Sequence, residues 1–119
     1  MDIEHANARI LLSSRYQAMW LFALFDLPVE TRENRRQAAR FRKDLVRRGF
    51  QMLQFSVYAR YCSGEEVAAR YRQKVKDCLP DEGQVRLLAV TEVQFGKMQV
   101  YYGKTSGRAE KKPVQLLLF

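Results

Sequence analysis

The sequence contains few of the residues on which many enzyme sites depend. Among its 119 residues there are two cysteines, Cys62 and Cys78, and one histidine, His5. Two cysteines are too few for a disulfide framework or a zinc site, so we expect both thiols to be reduced and buried. A lone histidine near the chain end argues against any mechanism that needs a histidine base or a set of histidine ligands.

Long apolar segments are also missing. No apolar run approaches the roughly 20 residues that a helix needs to span a bilayer, and residues 1–14 lack the basic start and long apolar stretch of a signal peptide. We therefore expect a cytoplasmic protein that does not enter a membrane. The length suits one compact domain at residues 19–102, between an N-terminal extension (1–18) and a linker with a C-terminal strand (103–119).

Acidic residues are outnumbered by basic ones. Lysine and arginine total 21 against 13 aspartates and glutamates, which gives a net charge of +8. Such a balance indicates a polyanionic partner, with nucleic acid as the first candidate and an anionic membrane surface as the second.

Hydrophobic periodicity predicts alternating strands and helices. Helices are predicted at residues 31–48 and 63–79, and strands at residues 19–25, 50–61, 84–91, 97–102 and 114–119. This order, with right-handed crossovers over one sheet, predicts a ferredoxin-like α/β (α+β) sandwich. Its antiparallel sheet carries both helices on one face, and a C-terminal strand follows.

Local signals refine these elements. Thr31 can cap the first helix, and Ser63 with Glu66 predicts a capping box at the second. The alternation slips phase within residues 50–61, which predicts a bulge or two short strands with a bend near Ser56. Residues 95–96 are predicted to form a turn.

The first helix holds most of the excess charge. Between Thr31 and Gly49 only Glu33 and Asp44 oppose eight basic residues, which are Arg32, Arg35, Arg36, Arg40, Arg42, Lys43, Arg47 and Arg48. At 100° per residue, five of these form one stripe opposite the apolar face of Ala38, Phe41 and Leu45: Arg32, Arg36, Arg40, Lys43 and Arg47. Like charges four residues apart repel, so a counter-charge is expected, and phosphate fits arginine geometry. The alternative is a basic face that serves solubility.

Two arginines of this helix behave differently. Arg35 and Arg42 lie seven residues apart at the margin of the apolar face. We expect them to point toward the sheet or an interface, and one alternative is a salt bridge to a buried carboxylate such as Asp26. Together with the five residues of the stripe, both are candidate nucleic-acid-binding residues. No base-reading motif accompanies the basic residues, so the pattern favours phosphate contacts with little sequence preference.

Asp26 follows an apolar strand, where a carboxylate is costly unless it is paired, hydrogen-bonded or bound to a metal. One carboxylate is a poor magnesium site, but a two-fold axis could bring together Asp26 from two protomers. The alternative is an ordinary turn residue before Pro28.

Several short motifs now agree in order and spacing. They are Phe25-Asp26-Leu27-Pro28, Arg35, Phe41-Arg42, Gly49, Gln54-Phe55-Ser56-Val57-Tyr58, Val85-Arg86-Leu87-Leu88, Thr91-Glu92 and Gln94-Phe95. Over about residues 20–103 the sequence resembles the Cas2 family of CRISPR adaptation proteins, and in particular its members in type II systems.

The resemblance implies a ferredoxin-like protomer in a symmetric homodimer. That dimer would sit between two dimers of the CRISPR integrase, with prespacer duplex DNA across its basic surface. Family members acting alone have been described as metal-dependent nucleases, which implies Asp26 as the catalytic residue and magnesium ligand. Within the integration complex this activity is regarded as dispensable. Arg35 and Arg42 match arginines near that aspartate, and Ser56 matches a serine of the family's strand motif.

The C-terminal residues Leu116, Leu117, Leu118 and Phe119 would favour aggregation if they hung free. By analogy with the family we expect them to bind a partner, either the second protomer or the integrase, and the alternative is a strand docked on its own domain. Three functions therefore compete: a non-catalytic DNA-binding adaptor, a magnesium-dependent endonuclease acting on RNA or DNA, and an interaction module whose charge serves solubility.

Overall fold

The computed structural model describes residues 17–104. Its elements are β1 (Met19–Asp26), α1 (Arg32–Arg47), β2 (Gln51–Gln54), β3 (Val57–Cys62), α2 (Glu65–Lys76), β4 (Gln84–Thr91) and α3 (Glu92–Gly96). The predicted strand at 114–119, with its expected partner-binding residues, and most of the N-terminal extension lie outside the described residues.

The four strands form one antiparallel sheet in the order β2-β3-β1-β4. Two strand–helix–strand units are interleaved, because β3 lies between β1 and β2 and the second unit returns to the opposite edge at β4. This is the predicted ferredoxin-like arrangement, and the α+β fold class is confirmed.

One face of the sheet carries the main core. Leu21, Ala23 and Phe25 alternate along β1 and are buried, and both long helices pack over them. From α1 the core receives Phe41 and Leu45, as the periodicity predicts. The remaining buried members are Phe50, Tyr58, Cys62, Ala68 and Val75.

The opposite face of β1 is only partly covered. Strand register places its residues in rows across the sheet, which run Tyr61–Trp20–Val90, Ala59–Phe22–Leu88, Val57–Leu24–Arg86 and Asp26–Gln84. Phe95 of α3 stacks on Trp20 with 4.4 Å between ring centroids and covers one corner. We call this surface the open face.

Residues 50–61 form a hairpin, which explains the phase slip in the sequence. The β2–β3 register shifts between Met52 and Gln54, and the chain then reverses at Phe55 and Ser56. Ser56 has φ 64°, a left-handed conformation that suits a tight turn. Both alternatives were correct, since a bulge and a bend occur together.

Three local predictions were wrong. Residues 97–102 form no strand within the described chain, and Phe95 and Gly96 end helix α3 rather than forming a turn. A capping box of Thr91 and Gln94 starts α3, which the sequence analysis overlooked. At α2 the N-cap is Gly64, so the predicted box with Ser63 as cap does not form.

Candidate functional site

The basic stripe of α1 lies on the exposed side of the helix. Arg32, Arg36, Arg40, Lys43 and Arg47 are all exposed, and Ala38, Phe41 and Leu45 are buried beneath them. From Arg32 to Arg47 the stripe extends about 22 Å at 1.5 Å per residue. It therefore offers a long row of guanidinium and ammonium groups to solvent.

Little negative charge offsets this stripe. Arg36 lies 3.8 Å from Glu33 and Arg47 lies 3.5 Å from Asp44, both as neighbours on the same helix. Among residues 17–104, no acidic group forms an ion pair with the other three cations of the stripe. Arginines in the first turns also oppose the positive end of the helix dipole, so an anion would stabilise this end.

Arg35 and Arg42 do not reach a buried carboxylate. The Arg35 Nη1 donates to the carbonyl oxygens of Val29 at 2.9 Å and Glu30 at 3.3 Å, and so braces the loop that leads into α1. Arg42 is half-buried. The suggested salt bridge to Asp26 is wrong for the described chain, because Asp26 is exposed and the part of the molecule described here buries no charged residue.

Both ends of α1 are fixed by specific contacts. The Thr31 hydroxyl oxygen accepts a hydrogen bond from the Asn34 amide at 3.0 Å, as predicted for an N-cap. At the other end, Arg60 Nε donates to the Arg48 carbonyl oxygen at 2.8 Å, while its guanidinium lies 3.5 Å from the centroid of the Tyr71 ring. Sequence reasoning missed Arg60, which is one arginine among many and gains its role only from its neighbours in space.

Glycine is required where the chain leaves α1. Gly49 has φ 87°, and an added Cβ would lie 3.2 Å from Arg60 Nε. A side chain there would both strain the backbone and push on the Arg60 contact. The end of the basic helix is therefore tied to β3 and α2 together.

A second set of contacts joins the middle of α1 to the loop that precedes β4. Gln37 Nε2 donates to Asp81 Oδ2 at 3.0 Å, and the Asp81 amide donates to Gln37 Oε1 at 2.8 Å. Gly83 then passes so close to β1 that an added Cβ would lie 2.7 Å from the Asp26 carbonyl oxygen. Residues 81–83 therefore lie against both the middle of α1 and the end of β1.

Asp26 lies at the end of β1 on the open face, opposite Gln84. Its carboxylate is exposed, and within residues 17–104 it accepts no hydrogen bond and forms no ion pair. The neighbouring turn is held by a different contact, since the Phe25 amide donates to the Ser56 carbonyl oxygen at 3.0 Å. Among the described residues, the Asp26 side chain forms no hydrogen bond with the turn that follows it. The turn-residue alternative therefore has no such contact in its favour.

The described residues around Asp26 provide only part of a magnesium donor set. Mg²⁺ takes six oxygen ligands, keeps several of them as water, and is commonly held by one or two carboxylates together with substrate phosphates. Within the described chain no cluster of three or more acidic, histidine or cysteine residues could hold a metal ion. Residues 17–104 of one chain therefore do not supply all the ligands of a magnesium ion, and the others would have to come from water, phosphate or a second chain.

The two cysteines have no catalytic features. Burial raises the pKa of the Cys62 thiol, and nearby Arg60 opposes this only in part. Burial likewise raises the pKa of Cys78, which is half-buried. Both are free thiols, and Cys62 is buried as predicted, whereas Cys78 is buried less than predicted. A raised pKa leaves them protonated and weakly nucleophilic.

Fold and surface together define a ferredoxin-like protein with a strongly basic first helix and a strand-end aspartate. Residues 19–98 match the model of the family described as CRISPR associated protein Cas2. The chain belongs to this family. The family-model match begins at the first residue of β1, so it covers every described strand and helix.

Curated relatives agree with the family assignment. A protein of Parvibaculum lavamentivorans is 45% identical over 101 residues, covering 85% of this chain and 100% of its own length. One from Flavobacterium psychrophilum is 40% identical over 106 residues, covering 89% and 92%. Another from Ligilactobacillus salivarius is 42% identical over 86 residues, covering 72% and 85%. All three are named CRISPR-associated endoribonuclease Cas2.

Among residues 17–104, no helix is long and apolar enough to cross a bilayer.

Proposed function

We propose that the chain is a homodimeric, non-catalytic adaptor in CRISPR adaptation that holds duplex DNA along α1 beside the CRISPR integrase. Membership of the Cas2 family supports the adaptation role. The observation that carries the DNA-binding part is the exposed stripe of α1, in which three of five cations have no acidic partner among residues 17–104.

The chemistry of the stripe favours duplex backbone over other anions. Five cations spread along about 22 Å match a repeating row of phosphates better than a compact anion, which would engage one or two of them. The Thr31 cap supports the start of the helix, the Gln37 contact joins its middle to Asp81, and Arg60 of β3 holds its end. Because such groups read phosphates and not base edges, binding should show little sequence preference.

The open face supports a homodimer. Two large hydrophobic residues of this face are exposed to solvent, Leu88 at 55% and Tyr61 at 44%. Their neighbours in the middle of the face are also apolar. An apolar sheet face of this kind indicates a protein interface, and a two-fold copy of itself is the simplest partner. A dimer would double the number of basic helices available to one duplex.

The DNA-binding proposal is tested with two matched triple variants. Arg32→Glu, Arg36→Glu and Arg40→Glu change the α1 stripe, while Arg70→Glu, Lys74→Glu and Lys76→Glu change exposed positions of α2 by the same total charge. Fluorescence anisotropy with a labelled duplex at low salt should show a loss of at least about 100-fold for the α1 variant and a loss of only a few-fold for the α2 variant. Equal losses would mean that net charge alone attracts DNA.

The integrase contact concerns the C-terminal residues Leu116–Phe119. We expect the full chain to co-elute with the cognate integrase and a chain ending at Pro113 to lose that complex while keeping its dimer. If the shortened chain still binds the integrase, the tail is not the contact.

A magnesium-dependent endonuclease is the second candidate, and the exposed Asp26 together with the relatives' names favours it. Labelled RNA and duplex DNA are incubated with pure protein in magnesium or in chelator. Cleavage that requires magnesium and disappears with Asp26→Asn would support the enzyme. Duplex binding that survives Asp26→Asn, without cleavage, would support the adaptor.

A further inference from the structure

The open face carries few charged residues, and they lie together at one end of it. Strand register fixes the residues that share this face, and among those of β1, β3 and β4 only two are charged, Asp26 and Arg86. Both lie at the same end of the face, because Asp26 pairs with Gln84 and Arg86 pairs with Leu24. An apolar surface thus carries one acid and one base, close together.

Neither group is neutralised within the described chain. The Asp26 carboxylate forms no ion pair there, and the Arg86 Nη2 makes only a long contact of 3.5 Å with Gln84 Oε1. The two are diagonal neighbours on adjacent strands, yet they form no salt bridge with each other in residues 17–104. Each is exposed and available to a partner.

Burying this face against a second copy would create a charge problem. If the two-fold axis passes near the ends of the β1 strands, the two Asp26 carboxylates approach each other in a poorly hydrated interface, where like charges are strongly unfavourable. In an isologous interface every contact occurs twice with the roles exchanged, so Arg86 of each protomer can meet Asp26 of the other. The charges of the two carboxylates and the two guanidinium groups would then neutralise each other.

We propose that Arg86 pairs with Asp26 of the second protomer, so that Asp26 is an interface residue and not a magnesium ligand. This inference rests on the homodimer proposed above. A carboxylate that is neutralised by guanidinium groups needs no metal, which is consistent with the small number of metal-binding groups around Asp26 in residues 17–104. The pair also gives a specific function to Arg86, which the motif Val85-Arg86-Leu87-Leu88 contains without indicating what the residue does.

The test is a charge exchange measured by sedimentation equilibrium in the presence of chelator. Asp26→Arg alone would place four cations at the axis, and Arg86→Asp alone would place four acids there. Each is expected to raise the dimer dissociation constant at least about tenfold, and the double exchange should restore it to within about threefold of the natural chain. Arg70→Asp, on the exposed surface of α2, is the control and should leave the constant unchanged.

The possible failures are distinguishable. If the natural chain is monomeric at all concentrations, the homodimer itself is refuted, and the pair with it. If it is dimeric but the two single variants are neutral, or the double variant is no better than the worse single one, only the pair is refuted. A natural chain that dimerises only when magnesium replaces chelator would refute the pair in favour of a metal bridge. Thermal melts monitored by circular dichroism should show that all the variants fold, since both positions are exposed.

Discussion

Helices α1 and α2 cover the same face of the sheet but carry their charges differently. Within their bounds, α1 has seven basic and two acidic residues, and α2 has four basic and two acidic. In α2 the acids lie in the first turn and lysines lie in the last, which complements the helix dipole, and Arg72 bonds Glu65 at 3.0 Å. In α1, arginines begin at the first residue and most have no acidic partner in the described chain.

Packing constrains the buried side of each helix, and function constrains the charges on the exposed side. Both helices bury apolar residues in the same core, and the core makes no demand on the sign of the exposed charge. The pattern of α2 is what stability alone would favour. The pattern of α1 costs stability through repulsion and the dipole, and we infer that DNA phosphates supply the missing counter-charge.

The largest expected effect concerns the core, where the two helices should behave alike. Phe41→Ala removes a fully buried ring from α1 and should lower the free energy of unfolding by about 3–5 kcal/mol. Val75→Ala in α2 removes less volume and should cost about 2 kcal/mol. Chemical denaturation measures both, and a loss below about 1 kcal/mol for either would show that its helix is not anchored as described.

Salt should sharpen the difference between the helices. If about four phosphates are contacted, raising monovalent salt from about 50 to about 200 mM should weaken duplex binding roughly 100-fold. Each α1 cation removed should reduce the logarithmic salt slope by about one unit, as measured by anisotropy titrations at several salt concentrations. Removing Arg70 or Lys74 from α2 should leave the slope unchanged, and an equal reduction there would contradict the assignment of the DNA surface to α1.

The Arg60 contact can be broken to test whether α1 must be held rigidly. Arg60→Ala leaves the Arg48 carbonyl without its donor and removes the cation from the Tyr71 ring, so we expect a loss of about 2 kcal/mol in unfolding free energy. Arg60→Lys keeps the charge but not the planar geometry and should recover only part of this loss. If Arg60→Ala is as stable as the natural chain in denaturant titrations, the contact does not secure the helix end.

The smallest effect is expected at the helix N-caps. Thr31→Ala removes the acceptor for the Asn34 amide and should cost about 1 kcal/mol. Thr31→Ser keeps a hydroxyl oxygen and should be nearly neutral, which makes it the matched control. A Thr31→Ala variant with an unchanged melting temperature would show that water caps α1 equally well.

Much of the fold could be predicted from the sequence because its signals are local. The apolar run ending at Asp26 and the three buried positions of α1 predicted the correct elements. The order of the elements along the chain, with right-handed crossovers, then predicted the ferredoxin-like sheet. The predicted strand at residues 97–102 was wrong because local composition does not decide strand pairing. Residues 98–102 have strand-like composition, but composition cannot tell whether the edge of a sheet is available to pair with them.

For the candidate site, too, some features could be predicted from the sequence and others could not. The sequence by itself determined the charge and the helical stripe of α1, because the helix repeat fixes which residues share a side. Only the tertiary structure decided that Asp26 and Arg86 share one face, 60 residues apart in the chain, and that Arg60 closes the end of the basic helix. Sheet register and side-chain reach set such neighbours, and these depend on how the whole chain packs, not on any local pattern.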